Sequence, residues 1–185
     1  MRIISGTYKG RVLHPPKNLP TRPTTDFAKT GLFNILNNLV DYENTSVLDL
    51  CAGTGNISFE FASRGAKHIT SVDSHAACLK FISDTARELK FTNFKTWKTD
   101  IFRFIDKTEE KFDLIFVDPP YEVSWIEQIS EKVFEKNLLN DGGMLIVEHG
   151  NKTELSAQKY FSDKRNYGNV NFSIFIHRKE AKTPG

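Results

Sequence analysis

The chain has 185 residues, which bounds it to one domain with at most a small appendage and is long enough to enclose a hydrophobic core. Its formal charge of +2 excludes a polycation, and 39% apolar against 26% charged residues excludes a disordered or membrane-embedded chain. Two cysteines, Cys51 and Cys78, make neither a disulfide framework nor a zinc spacing, so free thiols in a reducing compartment are expected.

The charge is unevenly spread. From Met1 to Thr25 the chain carries Arg2, Lys9, Arg11, Lys17 and Arg22 and no acid, and the tail from Lys159 is again rich in Lys and Arg. Basic flanks on a neutral body fit a catalytic domain whose edges meet a polyanion. The opening residues are too short and too polar for a signal peptide, and no apolar run approaches membrane-spanning length, so a cytoplasmic protein is expected.

In chain order, Arg2-Ile3-Ile4-Ser5 and Arg11-Val12-Leu13-His14 are β-like runs around Gly6 and Gly10, and four prolines from Pro15 to Pro23 follow. Residues 1–23 are therefore expected to form a basic β-hairpin extension, and residues 24–185 the main domain. Thr24 or Thr25 can cap a helix from Asp26, and Leu32, Phe33, Leu36 and Leu39 give it an apolar stripe ending near Asp41.

The chain then alternates. Strands are predicted at 46–51, 68–72, 94–97, 112–117 and 144–148, with helices after the glycine turn at 53–55 and over 75–90, 101–107 and 125–135. Such alternation predicts a parallel, doubly wound sheet. A short helix is expected at 151–157, and two strands at 161–167 and 170–177 joined at Gly168-Asn169 form an antiparallel hairpin. The expected fold is thus α/β, a mostly parallel seven-stranded Rossmann-like sheet with an antiparallel last strand, as in class I methyltransferases.

Ligands of such sheets bind at the carboxyl ends of the strands. The first strand runs into Asp49-Leu50-Cys51-Ala52-Gly53-Thr54-Gly55-Asn56, where the glycines allow close backbone approach. Ser58 replaces the third glycine of a dinucleotide fingerprint, so a pyrophosphate is not indicated. S-adenosyl-L-methionine carries an amino acid and an adenosine but no phosphate. Asp49 can take its ammonium group, Asp73 with Ser74 the ribose hydroxyls, and Asp100 with Ile101 the adenine. The candidate cofactor residues are Asp49, Cys51, Ala52, Gly53, Gly55, Asn56, Asp73, Ser74, Asp100, Ile101 and Asp118.

The fourth strand ends in Asp118-Pro119-Pro120-Tyr121. Two prolines hold an extended backbone and contribute carbonyls without local N–H donors. An amino group conjugated to a ring is a poor nucleophile with two N–H donors. The Asp118 carboxylate and the Pro119 carbonyl can accept both, returning electron density to nitrogen and aiming its lone pair, while Tyr121 stacks on the base. The candidate catalytic residues are Asp118, Pro119, Pro120 and Tyr121.

Arg2-Ile3-Ile4-x-Gly6-x-x-x-Gly10-Arg11-x-Leu13, Arg22-Pro23-Thr24-Thr25-Asp26, Leu32-Phe33-Asn34-x-Leu36, Ser63-Arg64-Gly65-Ala66 and Tyr167-Gly168, together with the two motifs above, resemble the RsmD family over nearly the whole chain. The resemblance implies methylation of the exocyclic N2 of one guanine in 16S rRNA, with S-adenosyl-L-homocysteine as product. It implies action on the 30S subunit or its assembly intermediates; a monomer without a metal is expected. It also implies RNA contacts by Arg2, Lys9, Arg11, Arg22, Thr24 and Thr25. The family's Arg-Glu pair before Leu-Phe-Asn is missing; Lys29, Thr30 and Gly31 occupy that stretch. The same motif also serves enzymes of adenine N6, cytosine N4 and glutamine amides, and a nucleotide- or RNA-binding module without catalysis is the alternative from another class.

Overall fold

The computed structural model describes residues 1–20, 24–120 and 123–177. Arg22 and Tyr121, and the basic residues from Arg178 onward, lie outside the described residues.

Seven strands form one sheet: β1 (Ser46–Leu50), β2 (His68–Asp73), β3 (Phe94–Lys98), β4 (Phe112–Val117), β5 (Leu139–His149), β6 (Phe161–Tyr167) and β7 (Val170–Ile176). Their order is β3-β2-β1-β4-β5-β7-β6. Strands β1 to β5 are mutually parallel, and β7 inserts antiparallel between β5 and β6. The order reverses between β1 and β4, so these two strands flank the switch point where ligands of such sheets bind.

Alternate residues of each strand serve opposite faces. Leu48, Leu50, Ile115, Val117, Leu145 and Val147 pack against α4 (Ile101–Lys107) and α5 (Ile126–Glu135). Val47, Leu114, Phe116, Met144 and Ile146 pack against α1 (Asp26–Leu36) and α2 (Asn56–Ser63). Helix α3 (Ala76–Glu88) joins a third cluster through Leu79, Ile82 and Ala86, which takes in Ile3 and Leu13 from the start of the chain.

Several elements differ from the sequence expectation. Helix α1 ends at Leu36, because Asn37 and Asn38 open a tighter turn, and Leu39 is left 56% exposed instead of joining the stripe. The segment 151–157 forms turns rather than a helix: it offers one buried apolar anchor, Leu155, too little to offset helix nucleation. Strand β5 starts five residues earlier than expected and is extended through Gly142 and Gly143.

The start of the chain is a hairpin-like loop with a single antiparallel bridge, Arg2 to Val12, rather than two strands. Its tip spends its polar groups on the body. The amides of Ile4 and Ser5 donate to the Glu60 carboxylate at 2.7 and 3.0 Å. Thr7 N–H donates to the Ser63 carbonyl, and Tyr8 N–H to the Ser63 hydroxyl. The Tyr8 hydroxyl donates to the Leu89 carbonyl, so the loop is clamped across α2 and the end of α3.

Among the described residues, no helix is long and apolar enough to cross a membrane.

Candidate functional site

Register decides what meets at the switch point. Leu50 pairs with Val117, and Val117 with Val147, so Asp118 and Glu148 follow as neighbours at the ends of β4 and β5. By the period of two, Asp49, Asp118 and Glu148 share the face on which α1 and α2 pack. Three carboxylates on three adjacent strands thus stand together on one side of the sheet.

Their environments are dry. Asp49 is 2% exposed and accepts the Ser58 hydroxyl, which also bonds Ser71. Burial pushes its carboxyl up to about 7, against the opposing effect of the Ser58 bond. Asp118 is half-buried, and its pKa is raised well above the ordinary carboxylate range, first by burial and then by the charges of Glu148 and Asp49. Glu148 is 3% exposed and accepts the Thr24 hydroxyl at 2.8 Å. Thr24 also touches Asp118, so the residue before the α1 cap bridges both acids. Burial, followed by the charges of Asp73, Asp118, Asp49 and Asp100, raises the pKa of the Cys51 thiol and so disfavours its thiolate.

The glycine turn is built as the sequence predicts. Gly55 is the N-cap of α2 in the left-handed region at φ 76°, and Cys51 is left-handed as well, at φ 61°. Ala52 is buried, and its N–H donates to the Val72 carbonyl, binding the turn to β2. Asp73 accepts Gly53 N–H and His75 N–H, both at 2.8 Å, and so ties the turn to the end of β2. Ser74 is exposed, its hydroxyl 3.2 Å from His75 Nδ1. Asp100 caps α4 by accepting from Phe102 and Arg103, and it lies exposed beside the buried Ile101.

A ligand carrying positive charge fits this donor set. The charges of Asp73, Asp118, Asp49 and Asp100 all act on Cys51 in the turn, and among the described residues no group of three or more His, Cys, Asp or Glu could hold a metal ion.

Other expected site residues are occupied within the protein. Asn56 is buried, its Oδ1 accepting Lys29 Nζ and its Nδ2 donating to the Thr24 carbonyl. Thr25 caps α1 by accepting from Ala28 N–H. Arg2 pairs with Asp26 at 3.0 Å and Arg11 with Glu88 at 2.6 Å, all four side chains partly exposed, while Lys9 is exposed. Pro119 is buried and Pro120 exposed at the end of β4.

Two features went unread in the sequence. Glu148 ends an apolar run one strand over from Asp118, and that placement was its only signal. Lys29, in the departure from the family motif, is a buried hub: it pairs with Glu60 at 3.5 Å and donates to the Arg2 carbonyl and Asn56. Burial lowers its pKa, partly offset by Glu60. Gly31, in the same stretch, stands where a Cβ would lie 2.1 Å from the Tyr167 ring, so the departure makes room for that aromatic.

The model of a family described as conserved hypothetical protein 95 matches residues 1–176. The chain belongs to this family, the RsmD methyltransferases. The Bacillus subtilis protein YlbH, named as a candidate rRNA methyltransferase, is 31% identical over 185 residues, covering 96% of this chain and all of the relative. Ribosomal RNA small subunit methyltransferase D of Escherichia coli K12 is 28% identical over 148 residues, 80% of this chain and 74% of the relative. The solved Escherichia coli structure of YhhF, described as a candidate methyltransferase, superposes with a TM-score of 0.85 at 24% identity, over 97% of this chain and 99% of that one. That likeness shows the shared fold. The chain places Asp118-Pro119-Pro120 at the switch point of the sheet it shares with that structure.

Proposed function

We propose that this chain transfers a methyl group from S-adenosyl-L-methionine to the exocyclic N2 of a guanine in small-subunit rRNA, acting as a monomer on assembling 30S subunits. The observation that carries this reading is the half-buried Asp118 at the end of β4, beside Glu148 and next to Pro119, in a chain of the RsmD family. Membership of relatives named for small-subunit rRNA supports the target class.

The cofactor supplies an electrophilic methyl on a sulfonium. The chain's own residues do the rest. Asp49, Asp73 and the Gly53–Gly55 turn form one wall of the cofactor site, and Asp100 and Ile101 its adenine end. Carboxylates in a water-poor site favour a bound cation more than they would in water. Asp118 accepts one hydrogen of the target amino group in its ionised form, which burial and Glu148 disfavour and a cationic cofactor would favour, and the Pro119 carbonyl accepts the other. These bonds fix the nitrogen lone pair toward the methyl carbon, so that alignment provides much of the acceleration. Once methylation has made nitrogen acidic, its proton passes along the hydrogen bond to the Asp118 carboxylate and from there to solvent, so no stronger base is needed. Tyr121, which lies outside the described residues, is assigned the stacking role on the base from its place in the motif alone. Lys9, Arg11 and Arg22 meet the phosphates around the target, with a salt-dependent contribution to binding.

The test is methyl transfer from labelled cofactor to small ribosomal subunits, free rRNA, duplex DNA and a glutamine peptide, followed by nucleoside digestion. Label in N2-methylguanosine from small subunits is expected; label in DNA or peptide alone overturns the target. Asp118→Ala is expected to abolish turnover while S-adenosyl-L-homocysteine still binds by calorimetry. Equal loss of both would make Asp118 structural.

A further inference from the structure

We propose that Phe27 is a stacking platform for an unpaired base of the RNA that carries the target nucleotide. The inference rests on the proposed RNA substrate and adds where that RNA lies. Phe27 is 69% exposed, more than Val12, Leu39 or Trp97, the other exposed large hydrophobic residues of the described chain. It sits in the first turn of α1, three residues after Thr24, whose hydroxyl bonds Glu148 beside Asp118. Three residues span at most about 10 Å, so the ring stands on the rim of the reaction site.

The ring is held but left uncovered. Tyr167 meets it edge to face, with centroids 5.8 Å apart and planes at 82°. Tyr167 is itself fixed between α1 and Phe172, 5.9 Å away, and it fits against the helix only because residue 31 is glycine. A preorganised aromatic loses little freedom when a flat partner settles on it. The Arg2 guanidinium, half-exposed and 3.0 Å from Asp26, puts a cation on the residue that precedes Phe27 in the helix.

An unpaired base suits this site better than a protein partner does. The next residues on the same helix face are Thr30, Gly31 and Asn34, so apart from the edge of Tyr167 the ring has no apolar surface beside it on the helix. Single-stranded RNA is recognised through such discs, since every base has a π-face.

The experiment compares wild type, Phe27→Ala and Phe27→Trp in the full chain. Affinity and methylation kinetics are measured on small ribosomal subunits and on deproteinised rRNA, with a fully paired RNA duplex as control. Because the ring is exposed, Phe27→Ala should leave the melting temperature and cofactor affinity unchanged. It should weaken binding of subunits and of rRNA roughly 5- to 100-fold, the range expected for one lost base–aromatic stack. The loss should appear in KM rather than kcat, duplex binding should not change, and Phe27→Trp should restore affinity. The inference is overturned if Phe27→Ala binds subunits as wild type does, if duplex binding falls equally, or if affinity is lost for subunits but kept for deproteinised rRNA, which would mean that the ring touches a protein. If wild type methylates subunits and Phe27→Ala matches it, only this inference fails; if wild type neither binds nor methylates rRNA, the proposed function fails and takes the platform with it.

Discussion

Replacing Lys29 by Met tests whether the buried hub holds the start of the chain to the helix that follows the glycine turn. The Lys29 and Glu60 side chains are 1% and 0% exposed and 3.5 Å apart. Removing one partner of a buried pair costs about 3–5 kcal/mol, because the other charge stays in a poorly solvating interior. Here Glu60 keeps strong company: Arg64 at 2.8 Å and the amides of Ile4 and Ser5. Methionine also fills much of the lysine volume. Both points argue for the lower end, about 3 kcal/mol. The Arg2 carbonyl and Asn56 Oδ1, which lose their donor, keep it from being smaller. For a chain of this size, about 3 kcal/mol corresponds to a fall in Tm of roughly 6–12 °C.

Urea unfolding of wild type, Lys29→Met, Glu60→Gln and the double variant gives the coupling energy directly. The double variant should lose less than the sum of the singles. Hydrogen exchange should speed up first at Ile4 and Ser5, whose amides rest on Glu60. A Lys29→Met protein within 1 kcal/mol of wild type, with those amides still protected, would refute the hub and leave Lys29 as mere packing.

Glu148→Gln keeps an acceptor for the Thr24 hydroxyl but removes the negative charge beside Asp118. Burial and that charge both raise the Asp118 pKa, so the variant should shift the acid limb of kcat/KM to lower pH, and an unmoved or rising limb would contradict the coupling. Asp49 holds its proton up to about 7 in the folded chain, against an ordinary value of 3.8. Between those values the folded state binds more protons than the unfolded one, so this group lowers stability as pH rises through the window. Asp49→Asn should flatten that decline, measured as unfolding free energy from pH 4 to 7; the same slope in wild type and variant would sink the assignment. Gly31→Ala should gain about 1 kcal/mol of helix propensity but lose about 1–3 kcal/mol through the clash with Tyr167. The net effect should be destabilising alone and stabilising in a Tyr167→Ala background, and stabilisation by Gly31→Ala alone would show that Tyr167 moves aside freely.

The sequence by itself determined the alternation of strands and helices, the glycine turn, and the acids at the ends of β2, β4 and before α4. These are local facts. A strand announces itself by an apolar run, its end by a breaker, and a helix start by a capping Thr25 or Asp100. Residues 151–157 misled because polarity and spacing there fit a helix, whereas stability depends on a buried face that the segment lacks.

Only the tertiary structure decided what the candidate site is made of. Thr24 and Glu148 are 124 residues apart in sequence, and nothing local pairs them. Strand register sets Glu148 beside Asp118, and the docking of α1 brings Thr24 to both. The same holds for Lys29, Glu60 and the opening loop, where burial turns an ordinary lysine into the joint between three segments. Hydrogen bonds and charges gain their strength from exclusion of water, and which groups lose their water is settled by packing across the whole chain.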